Sequence, residues 1–135
     1  MIEKAAAEGN AQQEREHGYM NINKADSQSI RQVIQQQIAA FLQDDADAAF
    51  SQAAPGIQRQ FGTAENFVQM VEAAYPTVYR PRSVVFERLL KVEGLPAQQV
   101  MLMDQEGDLI RATYMMQRQL RGDWKIAGCF LTPVG

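Results

Sequence analysis

The sequence predicts an α+β domain in which helices come first and an antiparallel sheet of about four strands follows. Three observations carry this. Apolar residues recur at helical spacing from Ile30 to Tyr75, the period shifts towards two after Ser83, and the later segments are joined by short turn sequences. The changeover lies in residues 61–86, FGTAENFVQMVEAAYPTVYRPRSVVF, which hold a helix, its stop signal, a Tyr/Arg/Pro crossing and the start of the sheet. Residues 25–135 read as a single domain, because no composition break divides them. Residues 1–24 are rich in Ala, Glu, Gln, Asn and Gly and read as a polar extension, able to form a frayed helix that Gly18 ends.

The first helix is expected over residues 27–43, with Asp26 as its N-cap. Ile30, Val33, Ile34, Ile38, Phe41 and Leu42 give it one wide apolar face. Gln37 projects from within that face, so its amide needs a partner, either in the core or in a ligand. Asp44, Asp45 and Asp47 favour a helix start by complementing its dipole, and a second helix is expected over residues 45–53. A calcium loop is a poorer reading, since the interposed Gly and closing Glu are missing. Pro55 opens a short helical turn that Gly62 ends. Thr63 caps a further helix over residues 64–75, with Phe67, Val68, Met70, Val71, Ala74 and Tyr75 on its apolar face, and Pro76 stops it. A crossing is expected over residues 77–82, where Pro81 favours an extended or turn conformation at Arg80.

Four strands are expected over residues 83–92, 97–103, 109–119 and 124–132, joined by GLP, QEGD and RGD. Short connections between neighbours make the pairing antiparallel. The third strand alternates, with Ile110, Ala112, Tyr114 and Met116 on one face. The last strand is apolar on both faces, with Trp124, Ile126 and Phe130 against Ala127, Cys129 and Leu131. Such a strand is covered on both sides, and a second copy of the chain is the natural cover for the side away from the helices. Arg121-Gly122-Asp123 spells an adhesion motif but reads here as hairpin turn chemistry.

The composition narrows the function. Net charge is −3, with nine arginines and four lysines scattered along the chain, so no basic stripe marks a nucleic-acid partner. No apolar run is long enough to span a membrane. Cys129 is the only cysteine and His17 the only histidine, which argues against a disulfide, a zinc site or a histidine base. No metal or other cofactor is expected. A cytoplasmic setting is the default, with a secreted or periplasmic one left open.

Helices followed by a sheet that ends in Gly-Asp-Trp-Lys-Ile-Ala-Gly resembles the nuclear transport factor 2-like (SnoaL-like) superfamily. The stretches DDADAAFSQAAPGIQRQFG, FGTAENFVQMVEAAYPTVYRPRSV and WKIAGC, in that order, closely resemble an uncharacterised bacterial family, domain of unknown function 4864. The superfamily resemblance implies a cone, in which the helices pack on the concave side of a curved sheet and leave a pocket at the open end. It also implies a dimer through the outer face of the sheet. The superfamily holds isomerases, dehydratases and hydrolases beside many non-catalytic proteins, so the fold assigns no activity.

In such a cone the inward polar candidates are Gln37, Tyr75, Tyr114 and Cys129, with Tyr79 at the mouth. Cys129 reads as a structural thiol, and Arg80 and Arg82 as partners for the acidic segment near Asp44. No inward acid or histidine presents itself on a strand. The expectation is therefore a non-catalytic module that binds a small, mostly apolar molecule. The alternatives are a dimerisation domain whose interior is filled, helped by adaptable residues such as Met70 and Met116, and an isomerase, dehydratase or hydrolase-type enzyme.

Overall fold

Apolar periodicity places the first helix, α1, at Lys24–Leu42 in the computed structural model, which describes residues 22–134. The frayed helix expected near the N-terminus lies outside the described residues. Helix α1 starts before its predicted point. Asn23 rather than Asp26 is the N-cap, and its side chain accepts the Asp26 N–H at 2.8 Å. Both residue types cap well, and the earlier one wins because Asp26 has other work: its carboxylate meets the Arg118 guanidinium at 2.6 Å. Ile30, Ile34 and Ile38, four residues apart, bury one stripe of α1, and Gln37 and Phe41 bury the next.

The C-terminus of α1 is closed by local chemistry. Asp44 adopts a left-handed conformation (φ 58°), which Asp tolerates better than most residues. Its N–H bonds Phe41 O, and the Asp45 N–H reaches back to Ala40 O at 2.8 Å, completing a Schellman arrangement. Asp45 then caps α2 (Ala46–Ser51) by accepting the Ala48 N–H. Helix α3 (Pro55–Phe61) begins on proline and ends at Gly62, whose φ of 78° suits a residue without a Cβ. Thr63 caps α4 (Ala64–Ala74) as predicted. Residues 77–82 are not a wholly extended crossing, because Pro76 opens a further turn of helix, α5 (Pro76–Tyr79). Its missing N–H costs nothing at a first helical position, so the residue that ends α4 also starts α5.

Strands β1 (Ser83–Val92), β2 (Leu95–Met103), β3 (Leu109–Arg118) and β4 (Trp124–Pro133) form one antiparallel sheet in the order β1-β2-β3-β4. The first hairpin turns on Glu93 and Gly94, both at positive φ, as a two-residue loop requires. The predicted GLP loop is thus wrong in register: Leu95 and Pro96 already pair with Val92 and Lys91.

Two irregularities shape the sheet. In β1 the pairing slips between Phe86 and Leu89. The Gln98 amide answers this by donating to the carbonyls of Glu87, Arg88 and Gln99. In β4, Ile126 faces Met116 and Gly128 faces Met115, so Ala127 is an extra residue. That bulge overturns the predicted faces of β4. Cys129 and Leu131 join Trp124 and Ile126 on the helix side. Phe130 turns to the outer side, where it packs with Val92, Ala97 and Met115.

Residues 51–54 run along the free edge of β4. The Ala54 N–H bonds Ile126 O, the Ile126 N–H bonds Gln52 O, and Lys125 Nζ reaches Ser51 O at 2.7 Å. This short parallel bridge joins the helical layer to the sheet and covers part of its edge. The core lies between α1, α2, α4 and the inner face of β2, β3 and β4. Trp124 anchors one end of it, 5% exposed, with the Arg118 guanidinium 4.7 Å from its ring centre. Replacing Trp124 with Ala should cost about 3–5 kcal/mol in urea unfolding, the usual loss for a buried aromatic. Unchanged stability would place the indole outside the core.

Candidate functional site

The inner face of β3 and β4 does not close fully against the helices. A cavity of about 410 Å³ remains, walled by α1, α3, α4, the α4–α5 joint, β3 and the bulge of β4. Its wall is mostly hydrocarbon. Phe67 lies at the centre of an aromatic group, with ring centres 6.1 Å from Phe41, 5.4 Å from Phe50 and 5.8 Å from Phe61. Phe41, Phe61 and Phe67 face the cavity, and Ile57, Met70, Val71 and Val78 complete the apolar lining.

Gln37 reaches the cavity from α1 because it stands one turn before Phe41 on the same helical stripe. Its carboxamide is 4% exposed, and its Nε2 donates to Ala49 O at 3.1 Å. Ala49 lies near the end of the six-residue α2, where carbonyls have lost their helical partners, so this bond completes the helix end. The Gln37 Oε1 accepts no hydrogen bond among the described residues.

Tyr114 projects from the middle of β3, where alternation points it to the helix side between Ala112 and Met116. It is 1% exposed, and its hydroxyl is buried without a hydrogen-bond partner among the described residues. Burial, reinforced by the neighbouring Cys129, pushes its phenol well above the ordinary range. Cys129 stands opposite Tyr114 in the β3–β4 ladder and shares the cavity wall, where the bulge has turned it. Burial pushes this thiol up to about 12. Both groups are neutral at pH 7, so they present hydrogen-bonding protons and not nucleophiles.

Tyr75 lines the cavity from the joint between α4 and α5, half-buried. Tyr79 does not line it. The extra helical turn carries Tyr79 to the outside of Phe41 (ring centres 5.8 Å apart), where its hydroxyl donates to Asp44 at 3.3 Å. There Arg80 stacks on the Tyr79 ring, pairs with Asp44 at 2.5 Å and donates to Phe41 O at the end of α1. The predicted pairing of Arg80 with the acidic segment is therefore the arrangement found. The Arg80 hydrogen bond holds the Asp44 carboxyl below its usual range.

Three of the four predicted residues, Gln37, Tyr75 and Tyr114, thus meet at one cavity. Sequence reasoning named Cys129 as an inward candidate but missed Ala127 and Gly128, because only a bulge brings all three residues to the wall. It also missed Phe61 and Ile57, although the Pro55-to-Gly62 turn was legible as a short helix laid over the opening. Asp104, Glu106 and Asp108 gather their carboxylates at the β2–β3 turn, away from the cavity. Asp104 Oδ1 is already engaged there by the N–H groups of Glu106 and Asp108.

Among the described residues the cavity wall contains no Asp, Glu, His, Lys or Arg. It can hold a molecule by shape and orient it with an amide oxygen and a phenol. A buried hydroxyl without a partner costs roughly 1–3 kcal/mol of stability. Tyr114→Phe should therefore raise the ligand-free protein's stability by about 1–2 kcal/mol in urea unfolding. A loss of stability would show that the hydroxyl is hydrogen-bonded in solution.

Comparison with known proteins returns one family. No curated protein and no solved structure matches the chain. A family model described as a domain of unknown function, DUF4864, matches residues 23–134, which is nearly the whole of the described fold. The chain belongs to the domain of unknown function 4864 family.

Proposed function

We propose that this protein is a non-catalytic binding module that takes a small, mostly apolar molecule into the cavity between its helices and β3–β4. The observation that carries the reading is the Tyr114 hydroxyl, fully buried in an apolar wall and without a partner among the described residues. A volume of about 410 Å³ falls within the roughly 300–1,000 Å³ of small-ligand sites. The finer fold belongs to the same reading: helices on one face of a four-stranded antiparallel sheet, with a cavity between the layers, fit a cone of the nuclear transport factor 2-like kind.

The cavity weighs against a domain whose interior is filled. Its neutral wall weighs against an enzyme, since neither a raised phenol nor a thiol near 12 is a competent base at neutral pH. Prodan, a neutral solvatochromic naphthalene, should bind the full chain and shift to the blue. Ala74→Trp, at an exposed helical position on the cavity rim, should abolish that binding and leave the unfolding midpoint in place. Unaltered binding by the Trp variant would place the dye elsewhere and defeat the reading.

A homodimer through the outer face of the sheet completes the proposal. Val85 and Leu109 are 59% and 43% exposed there, next to Met101 and Met103. Together they form an apolar patch beside the Glu87–Arg111 ion pair. Sedimentation at roughly tens of micromolar should give a dimer, the range expected for a moderately tight interface. Val85→Asp should convert it to monomer, and a wild-type monomer at that concentration would end the idea.

A further inference from the structure

The polar groups left over in the cavity specify more than an apolar guest. Four observations bear on the guest's chemistry. Tyr114 is 1% exposed and lines the cavity, and its hydroxyl is buried with no partner among the described residues. Gln37 gives one Nε2 proton to Ala49 O, which fixes the amide orientation, and its Oε1 accepts no hydrogen bond among the described residues. Among the described residues no cationic side chain lines the cavity. The remaining wall is mostly carbon surface, such as Phe41, Phe67, Val71 and Ile126, with Gln60, Tyr75 and Cys129 beside it.

Each observation removes a class of ligand. A carboxylate or phosphate would enter without a countercharge, and burying an unpaired anion is far more costly than leaving it in water. An ammonium group would likewise find no carboxylate. A pure hydrocarbon would fit the wall but leave the Tyr114 hydroxyl and the Gln37 oxygen unpaired after expelling water from the site. An ether or ketone accepts from Tyr114 yet offers Gln37 no proton. The two side chains together ask for one acceptor and one donor, and a hydroxyl group supplies both.

Resting on the cavity being a binding site, we propose that its ligand is a neutral alcohol or phenol with a compact apolar body. Tyr114 and Gln37 read its hydroxyl. At protein-like packing the volume admits on the order of fifteen non-hydrogen atoms, which suits a fused-ring or short branched-chain alcohol and is too small for a long-chain lipid. Tyr114 is the specificity determinant, since it is the group whose hydrogen bond is made only when an oxygen arrives.

Four probes substituted at the same ring position test this on the full chain: naphthalene, methoxynaphthalene, naphthol and naphthoate. Binding is read from the amide resonances of cavity residues such as Val71 and Ala127. Naphthol should bind about tenfold tighter than naphthalene, the return on one well-made hydrogen bond. Methoxynaphthalene should fall between them, and naphthoate should bind most weakly. In Tyr114→Phe, the naphthol advantage should shrink to within about threefold while naphthalene is held as before.

Equal affinity for naphthalene and naphthol in the wild-type chain overturns the proposed ligand class and leaves the cavity reading intact. So does a naphthol preference that survives in the Phe variant, or naphthoate as the tightest probe. If no probe moves the cavity resonances, the cavity reading itself falls and takes this inference with it. The wild-type series needs no variant, so the outcome does not hang on the folding of Tyr114→Phe.

Discussion

At Ala127 the last strand carries one residue more than its neighbour, and the contents of the protein's interior follow from that residue. With strict alternation from Trp124, the inward positions of β4 would be Trp124, Ile126, Gly128 and Phe130. Gly128 would then face Tyr114, and Phe130 would point at the helices opposite Ala112. The bulge reverses the parity after Ile126. Cys129 takes the inward place beside Tyr114, and Phe130 moves to the outer face against Met115 and Ala97. Beside Tyr114 a thiol stands where a glycine would have been, and opposite Ala112 the Leu131 side chain stands where the Phe130 ring would have been. The bridge from residues 52–54 to Ile126 fixes the strand on the near side of the bulge, so the slip cannot readily migrate.

The buried polar groups around this interior nearly all have backbone duties. The Gln98 amide fills the irregularity in β1, the Gln37 amide closes the end of α2, and Arg80 closes the end of α1. Each adds a hydrogen bond to a carbonyl at a helix end or a strand irregularity, where the regular ladder is incomplete. Against that background the Tyr114 hydroxyl stands out by physics and not by residue type. A phenylalanine would pack equally well on the same strand position. The hydroxyl adds cost to the unliganded fold, so the argument for a ligand rests on energetic asymmetry and not on the cavity's volume alone.

Much of this was legible in the sequence. All four strands begin or end where the period-two pattern and turn residues put them, and Thr63 and Pro76 bound α4. Gln37, Tyr75 and Tyr114 were readable as inward groups because each lies on a face defined by several neighbours. What could not be read depends on spacing of one or two residues. A bulge leaves no mark in an apolar strand whose two faces look alike, so alternation groups Phe130 with Trp124 and Ile126 and sets Cys129 and Leu131 against them, the reverse of the packing found. Pro96 looked like a breaker, and only the Glu93-Gly94 turn with both φ values positive shows that the strand resumes at Leu95. Tyr79 was misplaced because a single helical turn after Pro76 rotates it from the cavity mouth to the surface.

The distribution of charge follows a complementary rule. The ion pairs of this fold sit at joints: Asp44 with Arg80 where α1, α2 and α5 meet, Asp26 with Arg118 between α1 and β3, and Glu87 with Arg111 across the outer face. In the Asp44 and Glu87 pairs the arginine hydrogen bond draws the carboxyl below its ordinary range, so the pair persists to more acidic pH than an isolated carboxylate would. Folded values below the unfolded ones mean that this stabilisation is present above the normal carboxylate range and fades only as pH falls through the lowered values. The cavity behaves in the opposite way. Burial pushes Tyr114 and Cys129, both in its wall, towards their neutral forms. Charge therefore locks the elements together from outside, while the interior keeps a neutral face through the physiological range. A guest held there is selected by shape and hydrogen bonding, and its affinity should be as flat with pH as the wall that holds it.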